Sequence, residues 1–290
     1  MTDVEHFSPE TLDEAAALLL AAGSGVRPLA TGTDLIAHVS EGQRTRRMVL
    51  DMKRIPELNR IDYDERNGLR IGAAVPFRSI LEFPPVRRLY PMLADGFVPI
   101  GQDEPADNAT LGGSLASPAS AAKMAPPLIC LRASAAIFGA YGWSDLGAEV
   151  LLVGAGRTAR HPGEFVVDVR LPALPPRANG AYLREVLRGQ PDLVAGVGAF
   201  VALEPDMATC CGARLTMAGV TPTPTRALEA ERFLAGKVLA GPILEEAGDL
   251  TTRGILPGDG SAEECLKVVK GLTGRAITQA LERIRTSARR

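Results

Sequence analysis

Short apolar runs separated by glycine and proline alternate along the chain, and their spacing predicts both helices and strands. The clearest helix is an alanine- and leucine-rich run that follows the capping sequence Thr11-x-x-Glu14 and stops at Gly23. Together with the short apolar runs that follow, it predicts a small α/β unit. The predicted elements are a helix at residues 12–22, strands at 26–29 and 48–51, and a short helix at 35–39.

Two further regions follow, separated by a proline-rich sequence at residues 171–177 that predicts a domain boundary. The first combines short strands with one long apolar helix. The second opens with an apolar run and an alternating run, which predict an antiparallel pair with one buried face, and it ends in helices. The predicted strands are 69–73, 150–153, 165–171, 193–203 and 213–220, and the predicted helices are 119–133, 226–235, 243–253 and 262–284, the last broken near 271–274.

Composition describes an ordinary folded protein of 290 residues with 46% hydrophobic and 23% charged residues. A net charge of −2 provides no electrostatic footprint for nucleic acid. The acidic start has no apolar core, so no signal peptide is expected. Residues 125–143 are apolar but contain two prolines and Arg132, which costs roughly 2.5–3.5 kcal/mol at a bilayer centre. They predict a buried helix followed by a turn, in a cytoplasmic protein without a membrane span.

Metal and nucleophilic chemistry find no support in the residue pattern. The four cysteines have no C-x-x-C spacing and the three histidines are scattered, so we expect no metal site and no iron–sulfur cluster in this chain. The adjacent Cys210 and Cys211 are expected to pack at a strand edge. No Ser/His/Asp or Cys/His constellation is visible, and no residue is predicted to be catalytic.

Two glycine-bearing loops are the strongest functional signal. One reads Ala-Thr-Gly-Thr-Asp-Leu at residues 30–35, and the other reads Thr-Leu-Gly-Gly-Ser at residues 110–114. Glycine lets a ligand approach where a Cβ would block it, and successive N–H groups in such turns can bind phosphate oxygens. Two such loops are suited to the two phosphates of one dinucleotide.

The first loop resembles the Ala-Gly-Gly-Thr-Asp-Leu signature of the FAD-binding subunits of molybdenum hydroxylases. This family includes the medium subunit of carbon monoxide dehydrogenase and the flavin domain of xanthine dehydrogenase. The second loop resembles the family's Thr-Ile-Gly-Gly-x-x-Ala element. Further short similarities occur in the family's order at residues 51–58, 71–75, 156–164 and 217–226.

The resemblance implies an α+β fold, with a two-subdomain FAD-binding domain of the vanillyl-alcohol-oxidase type and a C-terminal α+β domain with a small antiparallel sheet and helices. The implied divisions are residues 1–55, 56–176 and 177–290. It also implies noncovalent FAD, with pyrophosphate on the two loops and three residues near the flavin ring. The implied cofactor-binding residues are Ala30, Thr31, Gly32, Thr33, Asp34, Leu35, Thr110, Gly112, Gly113, Ser114, Lys123, Tyr182, Arg184 and Asp192. Tyr182, Arg184 and Asp192 are equally compatible with ordinary polar residues at the start of a domain.

Three departures from the family pattern concern the cofactor site. Thr31 replaces a usual glycine, and a β-branched residue resists positive φ. Residues 102–107 bring three carboxylates close to the second loop. Lys123 stands where the family has an acidic residue, and an ammonium cannot accept a hydrogen bond. The site is therefore either altered or lost.

The favoured function is an electron-transfer subunit that receives electrons from iron–sulfur clusters of a partner and passes them to an external acceptor. The resemblance implies a small iron–sulfur subunit and a large molybdopterin-containing subunit, in a dimer of heterotrimers. One alternative is a structural subunit of the same complex that has lost or altered its FAD site. A free-standing flavin oxidase ranks last, because no base for a substrate pocket is visible in the sequence.

Overall fold

The computed structural model describes residues 5–23, 26–29, 48–98, 109–116, 118–151, 161, 163–187, 190–221, 223–255 and 260–288. These residues belong to two compact units. The first unit comprises Met1–Phe83, Ala106–Ala121 and Ala133–Pro172. The second comprises Pro84–Pro105, Ala122–Arg132 and Ala173–Arg290. The predicted three-part division at residues 55/56 and 176/177 stays a prediction.

Strands and helices alternate in an α+β arrangement, as predicted. The strands are β1 (Glu5–Phe7), β2 (Val26–Leu29), β3 (Met48–Asp51), β4 (Ile61–Asp64), β5 (Gly68–Gly72), β6 (Ser134–Gly139), β7 (Gly142–Gly147), β8 (Phe165–Leu171), β9 (Ala178–Leu187), β10 (Gln190–Leu203), β11 (Cys210–Ala218) and β12 (Thr225–Arg226). The helices are α1 (Leu12–Ala22), α2 (Phe77–Glu82), α3 (Pro84–Leu89), α4 (Pro91–Phe97), α5 (Leu111–Ala116), α6 (Pro118–Cys130), α7 (Ala148–Leu151), α8 (Leu228–Leu234), α9 (Pro242–Thr252) and α10 (Gly260–Ala288).

The first unit contains two sheets. Strands β1, β3 and β2 form a parallel sheet in that order, and α1 belongs to the same α/β region. The cap predicted for α1 is present, because the Thr11 side chain accepts a hydrogen bond from the Glu14 N–H and Gly23 ends the helix with φ of 54°. Strands β4, β5, β8, β6 and β7 form the second sheet in that order, with antiparallel pairing throughout.

Two short 3₁₀ turns, Met52–Arg54 and Pro56–Asn59, connect the two sheets of the first unit. The second turn is bonded to the end of β5, since Leu58 O accepts the Ala74 N–H at 2.8 Å and Arg60 O accepts the Gly72 N–H at 2.7 Å. A Cβ on Gly72 would lie 2.3 Å from Leu58 O, so only glycine allows this close backbone approach.

The second unit is built on an antiparallel sheet in the order β12-β11-β10-β9. The predicted pairing of the two long strands is confirmed, with Val197 opposite Met217 and Val201 opposite Ala213. Helices α8, α9 and α10 contribute apolar residues to one core with the inner face of this sheet. Its fully buried members include Val197, Val201, Leu215, Val269 and Ile277.

Several predicted elements differ from the structure. Residues 150–151 belong to α7 rather than to a strand, and residues 152–153 lie outside the described part. The helix predicted at 119–133 ends at Cys130, because Ser134–Gly139 pairs with both β7 and β8. The predicted strands at 69–73, 165–171, 193–203 and 213–220 and the predicted helices at 226–235 and 243–253 are present with shifted ends, and the helix predicted at 35–39 lies outside the described residues.

The break predicted near residues 271–274 is also wrong, since α10 runs continuously through it. Each glycine costs a helix about 1 kcal/mol relative to alanine. Leu272 lies between Gly271 and Gly274, Ile277 follows them, and the packing of these two buried side chains in the core offsets that cost. In the described ranges no helix is long and apolar enough to span a bilayer.

Candidate functional site

The described part of the predicted dinucleotide site is the segment around α5. Pro76 and Thr110 form an isolated antiparallel bridge, and the Phe77 N–H donates to Ala109 O at 2.8 Å. The Gly112 N–H donates to Ala73 O at 3.1 Å. The segment is therefore fixed to the backbone that leaves β5.

The two adjacent glycines have different surroundings. A Cβ on Gly112 would lie 2.5 Å from the Ala73 Cβ and 2.6 Å from Ala73 O, so this glycine is required for packing. Among the described residues, a Cβ on Gly113 would meet Thr110 Oγ1 at 3.0 Å, which is a tight contact with a side chain rather than with backbone. Packing therefore constrains Gly113 less than it constrains Gly112.

The N–H groups in this segment already have partners. Thr110 Oγ1 accepts the Gly113 N–H at 3.1 Å, and Thr110 O accepts the Ser114 N–H at 2.9 Å. Both side chains are buried, with exposed fractions of 1% for Thr110 and 8% for Ser114. The N–H groups of Gly112, Gly113 and Ser114 thus all donate to acceptors within the chain. A phosphate oxygen would have to share these donors or bond to the hydroxyl groups.

Other predicted cofactor residues are outside the described part. The first loop, with Ala30, Thr31, Gly32, Thr33, Asp34 and Leu35, lies there entirely. Lys123 is on α6 and Asp192 is on β10, but only their backbone placement is described. Of the fourteen predicted positions, the structure brings together Thr110, Gly112, Gly113 and Ser114 in the first unit, and Tyr182 and Arg184 in the second.

Tyr182 and Arg184 lie on β9, the edge strand of the second unit. Tyr182 is 4% exposed, and burial raises the pKa of its phenol although the Arg184 charge opposes that shift. The Arg184 guanidinium carbon lies 5.4 Å from the centre of the Tyr182 ring. The same guanidinium donates to the carbonyls of Asp95, at 3.0 Å, and Val98. Arg184 therefore satisfies backbone carbonyls at the C-terminal end of α4.

Asp95 is a residue that the sequence did not single out. Its carboxylate receives two hydrogen bonds from Arg283, at 2.7 and 2.8 Å, and one from the Tyr182 N–H at 2.9 Å. Arg283 also donates to Gly180 O at 2.7 Å. We call Asp95, Arg283, Tyr182, Arg184 and Gly180 the Asp95 cluster. It satisfies backbone groups on an edge strand that would otherwise invite foreign pairing.

Among the described residues, neither the cysteines nor a metal-binding cluster adds a second site. Burial raises the pKa of the Cys130 thiol to about 12, and its Sγ lies 3.4 Å from Thr216 Oγ1. Cys210 is buried and Cys211 is exposed at the start of β11. Within the described ranges, no three His, Cys, Asp or Glu side chains converge on a metal position.

Comparison with known proteins identifies two matching family models. The model described as the FAD binding domain in molybdopterin dehydrogenase matches residues 2–174. The model described as the CO dehydrogenase flavoprotein C-terminal domain matches residues 181–280. The first alone covers more than half of the chain.

Several known proteins are similar to this chain over nearly its whole length. The chain is 28% identical to the carbon monoxide dehydrogenase medium chain of Afipia carboxidovorans, over 96% of this chain and 97% of that protein. It is 26% identical to the 6-hydroxypseudooxynicotine dehydrogenase complex subunit alpha of Paenarthrobacter nicotinovorans, over 97% and 95%. A structure of carbon monoxide dehydrogenase from Hydrogenophaga pseudoflava matches with a TM-score of 0.86 and 25% identity, over 97% of this chain and 98% of that one.

Proposed function

The chain belongs to the family of FAD-binding domains of molybdopterin dehydrogenases, and we propose that it transfers electrons within such an enzyme. It is an FAD-binding medium subunit of a molybdenum hydroxylase-type oxidoreductase. In the proposed role, electrons come from iron–sulfur clusters of a partner and leave to an external acceptor. FAD, when bound, would supply the redox chemistry, because a flavin can accept single electrons and release pairs. The protein supplies binding and orientation.

The observation that carries the proposal is the match of the FAD-binding family model to residues 2–174, which include the second glycine loop. Gly112 of that loop is explained by packing against Ala73, whereas the contact described for a Cβ on Gly113 is a 3.0 Å approach to the Thr110 side chain. The Ser114 hydroxyl has no hydrogen-bond partner among the described residues. We infer that Thr110, Gly113 and Ser114 hold the cofactor together with residues 30–35. Lys123, Tyr182, Arg184 and Asp192 remain proposed contacts.

The proposed assembly is a small iron–sulfur subunit and a large molybdopterin-containing subunit bound to this chain, in a dimer of heterotrimers. The support comes from relatives whose names identify them as a medium chain and as a subunit of a complex. Coexpression with candidate partner chains followed by size-exclusion chromatography tests the assembly. A chain that elutes alone in their presence and still turns over a substrate would contradict it.

The absorption spectrum of the purified chain tests the cofactor directly. We expect the visible absorption bands of oxidised flavin, with up to about one FAD per chain. Denaturation should release the flavin, because the proposed binding is noncovalent. If little flavin copurifies, titration with FAD should restore the bands. A protein that stays colourless with excess FAD would exclude the proposed role.

A second candidate is a structural subunit of the same complex with an altered or lost FAD site. The observation that favours it is the engagement of the Gly112, Gly113 and Ser114 N–H groups within the chain. This candidate predicts that the chain assembles with its partners but contributes no flavin absorption. The spectrum of the assembled complex therefore separates the two functions.

A further inference from the structure

Helix α6 continues the chain directly from the second glycine loop. The loop leads into α5, which ends at Ala116, and α6 begins at Pro118. The segment Ala106–Ala121 belongs to the first unit, and the segment Ala122–Arg132 belongs to the second. One continuous helix therefore begins in the unit that contains the loop and ends in the unit that contains the sheet β12-β11-β10-β9.

The C-terminal part of α6 packs against β10. Val197 contributes to the core that β10 shares with helices α8, α9 and α10, so the next residue, Gly198, lies on the opposite face of the sheet. A Cβ on Gly198 would lie 3.2 Å from both Cys130 Sγ and Pro126 O, and 2.9 Å from Met92 Cε. The absence of a side chain at Gly198 therefore allows α6 to approach the backbone of the sheet.

Hydrogen bonds hold the last turn of α6 at the same place. Cys130 Sγ lies 3.4 Å from Thr216 Oγ1, and Thr216 is directly opposite Gly198 in the register of β10 and β11. Arg214 Nε donates to Ile129 O at 3.2 Å. We call these five residues, Gly198, Arg214 and Thr216 of the sheet with Ile129 and Cys130 of the helix, the α6 packing site. All of them belong to the second unit.

The position of α6 depends on these outside partners. Pro126 and Pro127 lie inside the helix and have no N–H group, so α6 forms fewer internal hydrogen bonds than its length allows. Helix α4 adds to the packing, because a Cβ on Gly96 would lie 2.9 Å from Met124 Cε and 3.2 Å from Pro127 Cγ. Met124 and Cys130 are both buried. The sheet and α4 together therefore fix the C-terminal part of α6.

The glycine loop has little freedom to move independently of α6. On one side, the Gly112 N–H donates to Ala73 O at 3.1 Å, which fixes the loop to the backbone that follows β5. On the other side, one residue separates α5 from α6. A displacement of α6 must therefore be taken up by α5 or by the loop, and a binding site loses affinity when its groups move by more than about 0.5 Å.

We propose that the α6 packing site is a positioning element for FAD, in which Gly198 sets the placement of residues 110–114 through α6. The inference rests on the proposed function, because the placement of the loop matters to FAD only if the loop binds it. No residue of the α6 packing site needs to touch the cofactor. A substitution at Gly198 should therefore change FAD affinity, whereas an equally disruptive substitution among the helices on the other face of the sheet should not.

Three glycine-to-valine variants of the second unit test the proposal. Gly198→Val places a side chain against the carbonyl of Pro126. Gly248→Val is the control for lost stability, because a Cβ there would lie 2.8 Å from Lys270 O, where α9 packs against α10. Gly212→Val is the control for the substitution itself, since a Cβ on Gly212 of β11 has no described atom within 4 Å.

Three quantities are measured on each full-length variant. They are the dissociation constant for FAD by fluorescence titration, the melting temperature of the FAD-free protein, and the visible circular dichroism of the flavin at saturating FAD. Gly198→Val should weaken FAD binding about tenfold and alter the flavin dichroism, because the displaced loop holds the cofactor differently. Gly248→Val should lower the melting temperature and leave both flavin measurements at their wild-type values. Gly212→Val should change none of the three.

Several outcomes would overturn the proposal. Wild-type FAD affinity in Gly198→Val does so, as does weaker binding in that variant with wild-type flavin dichroism. An equal weakening in Gly248→Val also does so, because loss of stability alone would then explain the effect. If Gly198→Val does not fold, Gly198→Ala decides: weaker FAD binding supports the proposal, and wild-type affinity or loss of folding overturns it. A wild-type chain that binds no FAD contradicts the proposed function instead, so the two failures are distinguishable.

Discussion

The glycine loop at residues 110–114 and the Asp95 cluster on β9 both contain residues that the sequence predicted to bind the cofactor, but their surroundings differ. At the loop, a Cβ on Gly113 would meet the Thr110 side chain rather than backbone, and the Ser114 hydroxyl has no described partner. On β9, Tyr182 is buried and the Arg184 guanidinium is bonded to two carbonyls. A residue that matches a family position is thus available to a ligand only where the fold does not already use it.

The two regions also differ in how far apart in the sequence their hydrogen-bonded residues lie. The hydrogen bonds within the loop join residues three or four positions apart, such as Thr110 to Gly113 and Ser114. The Asp95 cluster joins residues far apart in sequence, with Asp95 bonded to both Tyr182 and Arg283. Changes in the loop should therefore affect ligand binding, and changes in the cluster should affect the stability of the whole second unit.

The largest effect is expected for Asp95→Ala. Its side chain is 19% exposed and that of Arg283 20%, so the variant would leave a largely buried cation unpaired and a Tyr182 N–H without its acceptor. We expect a loss of about 2–4 kcal/mol in the free energy of unfolding, measured by urea denaturation. The control Glu82→Ala removes an exposed ion pair with Arg78 and should cost less than about 0.5 kcal/mol. Equal losses in the two variants would show that the cluster is not a structural centre.

Gly113→Val tests the loop side of the comparison. A valine side chain would stand where the proposed site needs close approach of the pyrophosphate to the backbone, so FAD affinity should fall about a hundredfold or more, equivalent to about 2.7 kcal/mol. The melting temperature of the FAD-free protein should fall only modestly, because the contact described for the new Cβ, at 3.0 Å from Thr110 Oγ1, is with a side chain rather than with backbone. Wild-type FAD affinity in this variant would exclude the loop as the pyrophosphate site.

Gly112→Ala should mainly lower the stability of the folded protein, in contrast to Gly113→Val, which should mainly lower FAD affinity. The added Cβ would lie 2.5 Å from the Ala73 Cβ, and relief of this clash is expected to cost about 1–3 kcal/mol of stability. Gly113→Ala is the matched control, since the contact described for its Cβ is with the Thr110 side chain rather than with backbone, and it should cost less stability than Gly112→Ala. Chemical denaturation of both variants measures the difference, and a more stable Gly112→Ala would contradict it.

The smallest effect concerns alkaline pH. Burial raises the pKa of Tyr182 above its ordinary value of about 10, so the folded state keeps a proton that the unfolded chain loses. This contribution to stability is fully present below about pH 10 and declines above it, by up to about 1.4 kcal/mol per pH unit. Tyr182→Phe should lose stability less steeply between about pH 10 and pH 11 in urea unfolding. Parallel profiles for both proteins would show that the phenol is accessible to solvent in the folded state.

The sequence predicts an element well when the residues that define the element lie within it or directly beside it. Helix α1 is delimited by its own cap at Thr11 and by Gly23, and both are readable in the sequence. The apolar runs of β10 and β11 likewise indicate a buried antiparallel pair. By contrast, residues 150–151 are an apolar pair compatible with helix or strand, and local pattern alone does not distinguish the two.

The candidate site divides in the same way. The Gly-Gly pair and the hydroxyls around it marked the second loop from sequence, but nothing in the sequence distinguishes Gly112 from Gly113. That distinction comes from Ala73, which directly follows β5 and packs against Gly112 in the folded chain. Asp95 and Arg283 were not found, because a salt bridge between residues so far apart has no local pattern.

By itself the sequence determined the family, the α+β class and the positions of the glycine loops, because short-range chemistry controls caps, turns and apolar periods. Only the tertiary structure decided which of the predicted site residues already bond to other parts of the chain. Tyr182 and Arg184 are bonded to a helix that precedes them by many residues. The physical reason is that hydrogen bonding is settled by distances and burial in three dimensions, which depend on elements far apart along the chain.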